Sequence, residues 1–206
     1  MAPGALGEMD TMDSFLFCLM LVALIALGGR EQMLIAHLSD ALAEGAGAEV
    51  RRPVPLLVLG ITCACATAAV MAYAGMTIAS ILPPRAAQML VAFALAIAAF
   101  ELAWPVRVRR AAEPTRSLGA IGLVLLWRQL GDAARFVVFA FAAEATYPLT
   151  AFVGGALGGA AAVLVGWSVG AAQLARFPLR YGRLVLGLAL FLTAIFIGLN
   201  ARYAGL

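Results

Sequence analysis

The stretch PVPLLVLGITCACATAAVMAYAGMTIASILPPR, residues 53–85, decides the fold class. No charge stands between Arg52 and Arg85, and the run exceeds the ~20 apolar residues that carry a helix across a bilayer. Pro53 and the pair Pro83-Pro84 bracket it, so a helix is expected to start near residue 54 and to stop before the second proline site. The rest of the chain has the same character. Over 206 residues it is 64% hydrophobic, 12% charged and has a mean hydropathy of +1.00. A soluble domain is about 25% charged, and so little polar surface could not face water.

Further apolar runs place six expected spans at 14–36, 54–80, 86–104, 118–142, 149–174 and 184–201. The acidic start (Glu8, Asp10, Asp13) lacks the basic region of a signal peptide, so the first run is read as a retained span. All 14 basic residues are arginine, with no aromatic-interleaved patch, which argues against a nucleic-acid partner. Cys18, Cys63 and Cys65 fit neither a disulfide framework nor a zinc spacing, and read as small core residues.

Arginine alternates between the interhelical loops. Arg51 and Arg52 follow the first span, Arg107, Arg109, Arg110 and Arg116 the third, and Arg176, Arg180 and Arg183 the fifth. Only Arg85 and Arg202 fall on the other side. The positive-inside rule then puts both termini outside the cytoplasm of an inner (plasma) membrane.

The opening stretch also repeats. Moved by 95 residues, Pro53 falls on Pro148, Gly60 on Gly155, Gly75 on Gly170, Pro83 on Pro178 and Arg85 on Arg180. Prolines and glycines holding one register are informative, because each imposes a particular backbone event. The first and fourth spans match at an offset of 103, Leu27-Gly28 on Leu130-Gly131. The expected fold is therefore an all-α membrane protein of six transmembrane helices in two inverted three-helix repeats. Its parts are an extracytoplasmic tail (1–13), the first repeat (14–104), a cytoplasmic linker (105–117) and the second repeat (118–206). Such repeats point to a midplane site with alternating access.

Charges inside spans cost ~2.5–3.5 kcal/mol each, so they need either partners, as in a buried ion triad locking one span to its neighbour, or a function. They gather at repeat-related positions: Gly28-Gly29-Arg30-Glu31-Gln32 in the first span, Arg128-Gln129-Leu130-Gly131-Asp132-Ala133-Ala134-Arg135 in the fourth. On one continuous helix Arg128, Asp132 and Arg135 would share a face. Glu31 and Arg30 point about 100° apart, so one of them is expected to face the fourth span. Glu101 is expected to reach toward the interface, and Gly28-Gly29 and Gly131 to let the first and fourth spans approach closely. No activated nucleophile or metal-ligand spacing suggests an enzyme or a resident cofactor.

In these segments the chain resembles the Gdt-type manganese/calcium–proton antiporters, related to the lysine-exporter superfamily, whose two inverted halves each open with Glu-x-Gly-Asp-(Lys/Arg)-(Thr/Ser). Gly28, Arg30 and Gln32 match in the first half, Gly131 and Asp132 in the second. Ala26, Gly29 and Gln129 stand where the pattern has acids. The resemblance implies an antiporter that exchanges a divalent metal ion for protons within the lipid bilayer, and leaves room for a homo-oligomer. It also implies metal contacts from Asp132, Gln129, Glu31 and Gln32, with Arg30, Arg128, Arg135, Gly28 and Gly131 in the pathway or its gating. The alternatives are a diverged, non-transporting membrane subunit or a carrier of a substrate with an anionic group.

Overall fold

A computed structural model describes residues 3–44, 52–105 and 117–203. Among these residues there are nine helices: α1 (Pro3–Ala26), α2 (Arg30–Glu44), α3 (Val54–Ile81), α4 (Pro84–Ala103), α5 (Leu118–Leu130), α6 (Ala133–Glu144), α7 (Pro148–Val169), α8 (Ala171–Leu174) and α9 (Leu179–Tyr203). Prolines open α3, α4 and α7, where a missing N–H costs no helical hydrogen bond. α3, α4, α7 and α9 are each long and apolar enough to cross a membrane; α1 and α2 do so together as a pair bent by 59°.

The polarity of the molecule fits a membrane. Large apolar side chains point outward, among them Phe93, Leu123, Val185 and Phe196, each more than 60% exposed. Asp132, Arg135 and Arg183 are inside, each under 10% exposed. Water would not tolerate that exterior.

Several expected boundaries move. The first span is a broken helix, and residues 3–13, expected as a tail, belong to α1. The stretch expected as the fourth span is two helices, α5 and α6, parted by Gly131-Asp132. The fifth ends at Gly170, whose φ of 81° only glycine adopts readily, and α8 follows. The sixth begins at Leu179, so Arg183 is a buried helical residue and not part of a loop. Arg51, Arg107, Arg109, Arg110 and Arg116 lie outside the described residues.

Glycine contacts set the helix directions. Gly154 sits against Phe15 and Cys18, and Gly158 against Leu19 and Ala23, so α1 and α7 run parallel. Gly75 sits against Phe139, and Cys63 Sγ donates to the Gly122 carbonyl (3.7 Å), so α3 runs parallel to α5 and α6. α4 and α9 are antiparallel, with Gly187 on Ala99 and Leu102 and Gly198 on Ala92. At one end, Arg52 donates to the Trp167 carbonyl and lies 3.9 Å from Asp40. Asp40 in turn accepts from Ala171 N (2.8 Å) and caps α8.

Among the described residues the interior holds two larger apolar clusters and a small third one of Ala36, Ala171 and Leu174. One larger cluster contains Ile25, Ala72 and Val137, the other Ile35, Ala64 and Leu125. Three helical segments carry polar residues between the two larger clusters: Glu31 and Gln32, Thr67, then Gln129 and Asp132.

Candidate functional site at two helix breaks

The first break follows from Gly28, which has φ 70°. A Cβ there would also lie 2.8 Å from Leu179 Cβ. Gln32 stabilises the break from the next turn: its Oε1 accepts from Gly28 N (2.7 Å), and its Nε2 donates to the Ala162 carbonyl (3.2 Å). The Gln32 oxygen, expected to face a metal, is thus occupied by backbone.

The second break is built differently. Gly131 has φ −95° and ψ 10°, is exposed, and would place a Cβ no nearer than 3.9 Å to anything. The close approach expected there does not occur; the tight glycine contact is Gly28 against α9. Asp132 holds the N-cap position of α6 in extended backbone, with its side chain free of any capping bond. The N-terminal N–H of Ala133 is met instead by Glu101 Oε2 (3.4 Å).

Glu101 and Arg183 join the two breaks. Arg183 donates to the Ile25 carbonyl at the end of α1 (3.3 Å) and pairs with Glu101 (3.5 Å). Glu101 pairs also with Arg30 (3.4 Å). A cation thus meets the unsatisfied carbonyl end of one helix and an anion the N–H end of another, the arrangement the helix dipoles favour. Glu101 faces inward to these partners; the expected reach to the interface is not seen.

Because α5 and α6 are separate, Arg128 and Arg135 do not share a face. Arg128 is exposed; Arg135 is 1% exposed, and its guanidinium lies under Gly159 with a bond to the Gly155 carbonyl (3.4 Å). Arg30 turns to α4, whereas Glu31 lies with Asp132 and Arg135 around a closed cavity of about 10 Å³, enough for about one water. Glu31 Oε1 and Arg135 Nε are buried and have no hydrogen-bond partner. Gln129 Oε1 accepts from Thr67 Oγ1 (3.1 Å), leaving its buried Nε2 unpartnered.

Outside this cavity an open vestibule of about 550 Å³ is lined by Arg30, Glu31, Glu101, Trp104, Pro105, Trp127, Arg128, Gly131 and Asp132. Glu31 and Asp132 line both spaces and form the wall between them. Of the four expected metal contacts, the structure brings Glu31 and Asp132 together and engages the oxygens of Gln32 and Gln129 elsewhere. Among the described residues no three His, Cys, Asp or Glu side chains gather closely enough to hold a metal ion.

Comparison with protein-family models, curated proteins and solved structures finds no match to this chain. Its function is argued from the site.

Sequence reading missed Glu101 and Arg183 as partners. A signal was available: the third span ends, and the sixth begins, on the same side of a six-span topology. Two opposite charges at those ends therefore share a depth.

Proposed function

We propose that the chain is a secondary carrier of the inner membrane that exchanges a cation for protons, a divergent relative of the Gdt-type antiporters. In this reading α5 and α6 form one broken span and α1 with α2 another, giving six spans in two inverted halves. The observation that carries it is the pair of helix breaks that sets Glu31 and Asp132 at the foot of one open vestibule. Ionisable groups at broken helices, between two halves, are where secondary carriers hold their ions.

Packing supports the inverted halves. Shifting Gly60 by 95 and Ile35 by 103 gives Gly155 and Val138; Gly60 abuts Ile35, and Gly155 abuts Val138. Shifting Ala92 and Ala103 by 95 gives Gly187 and Gly198; Ala92 meets Gly198, and Ala103 meets Gly187. Contacts that exchange between halves in this way are what a two-fold axis in the membrane plane produces.

The test is cation-driven proton movement in proteoliposomes loaded with a pH-sensitive dye. Wild type should respond to at least one cation among manganese, calcium, sodium, potassium, tetramethylammonium and methylguanidinium. Asp132→Asn, nearly isosteric, should reduce that response more than about tenfold, because one buried carboxylate is lost from the ion's path. Silence of well-inserted wild type toward the whole panel would overturn the carrier reading in favour of a non-transporting subunit.

A further inference from the structure

We propose that the vestibule binds an organic monovalent cation, an ammonium or guanidinium group on a small apolar body. Its charge would rest on Glu31 and Asp132, and its body on Trp104 and Trp127. This names the substrate class of the site just described and rests on the carrier reading for its transport, though not for its binding.

The charges nearest the inner wall come first. Among the described residues Glu31 and Asp132 make no ion pair within 4 Å, and Arg135 behind them is the one cation lining their cavity. Two carboxyl groups thus share one guanidinium at this wall. Glu101 is committed to Arg30 and Arg183. The Arg30 side chain is 42% exposed and Arg128 is exposed at the rim. Charges in such surroundings act across water, where a pair 4 Å apart is worth ~1 kcal/mol, against ~4 at the dielectric of a protein interior. The wall therefore outweighs the rim.

Charge number then selects the ligand. The attraction of this wall for a cation rises in proportion to the cation's charge, while the Born cost of stripping its water rises with the square. Doubling the charge doubles the attraction and about quadruples the desolvation penalty. A hard divalent ion recovers that penalty only from several oxygen ligands, and the described residues supply no such cluster.

The remaining features suit a diffuse organic charge. The vestibule's volume of about 550 Å³ lies in the ~300–1,000 Å³ range of small-molecule sites. Trp127 is 79% and Trp104 53% exposed, and the Trp104 ring is tilted against Phe100 at 5.3 Å. An indole face attracts a weakly hydrated cation. Glu31 lines this space, and its Oε1 is buried without a donor.

The route on the other side of the wall agrees. Exchanging the halves carries Arg30, Glu31, Glu101 and Trp104 to Ala133, Ala134, Phe196 and Leu199. It carries Trp127, Arg128 and Asp132 to Leu24, Ile25 and Gly29. None of these counterpart positions is charged. A bare metal ion would meet an apolar barrier there, and a cation with an apolar body a lower one.

The experiment is binding to the purified full-length protein in detergent, read by tryptophan fluorescence and by calorimetry. The probes are tetramethylammonium, methylguanidinium and benzyltrimethylammonium, set against manganese and calcium. Saturable binding of the organic cations is expected, weakened more than tenfold by Asp132→Asn or Glu31→Gln. Trp127→Ala, at an exposed position, should weaken it about three- to tenfold, with partial rescue by Trp127→Phe. Organic-cation affinity that is unchanged in the acid variants and in Trp127→Ala would overturn the proposal. So would saturable manganese or calcium binding without organic-cation binding. Binding without flux in proteoliposomes would sink the carrier reading and leave this site standing; metal flux without organic-cation binding would do the reverse.

Discussion

Gly28 and Gly131 occupy corresponding places in the two breaks, yet the backbone requires glycine at only one of them. Gly28 has a left-handed φ and no room for a Cβ beside Leu179. Gly131 has an ordinary φ and open space around it. Gly28→Ala should therefore cost about 2–4 kcal/mol, the left-handed penalty plus the displacement of Leu179. Gly131→Ala should fall within about 0.5 kcal/mol of wild type. Reversible unfolding of the purified protein in mixed micelles measures both; equal losses at the two positions would contradict this account of the first break. The two glycines look alike in sequence. What separates them is the first residue of α9, about 150 positions downstream of Gly28, and no local pattern carries that.

At the scale of elements, the Glu101–Arg183 pair couples α4 and α9 to the ends of α1 and α6. Removing one partner leaves the other charged in a largely closed environment, which is costlier than removing both. Glu101→Gln and Arg183→Gln should each destabilise the protein, and the double variant should lose less than their sum. A coupling of about 1–3 kcal/mol in the double-mutant cycle is expected, and additivity within ~0.5 kcal/mol would show that the pair does not staple the breaks. The long apolar helices α3, α4 and α7 were legible in sequence because hydropathy and flanking prolines are local signals. The breaks were not. A glycine inside a helix costs only ~1 kcal/mol, so the pattern alone favours continuity through residues 27–29 and 131–132. Breaking the helices needs Gln32, Glu101 and Arg183 to satisfy the freed backbone groups, and the latter two come from other spans. The candidate site was half legible for the same reason. Glu31, Asp132 and Arg135 stood out as charges in apolar runs, but their separation from Arg128 depends on the break.

For the whole molecule, the question is whether the two halves offer equivalent routes to the central wall. The vestibule contains Trp104 and Pro105 at the end of α4, and the arginines at 107, 109, 110 and 116 follow directly in the chain. In the proposed topology, with the positive-inside rule, this mouth faces the cytoplasm. In the proposed inverted halves the counterpart positions are uncharged, and α1 is seated tightly on Gly154 and Gly158. Water should therefore reach the wall from one side only in the resting state. Single cysteines placed by Trp127→Cys and Leu24→Cys, in a background with Cys18, Cys63 and Cys65 replaced by alanine, probe repeat-related positions on the two routes. An impermeant thiol reagent applied to inside-out vesicles should modify Trp127→Cys at least about tenfold faster than in right-side-out vesicles, because entry of a charged reagent through the apolar half carries a desolvation barrier of several kcal/mol. Leu24→Cys should react slowly from both sides, and faster from the periplasmic side once a transported cation is added. Reaction of Trp127→Cys from the periplasmic side alone would reverse the orientation. Equal reactivity of the two cysteines from opposite sides without cation would show two open routes, and the one-sided resting state would have to be abandoned.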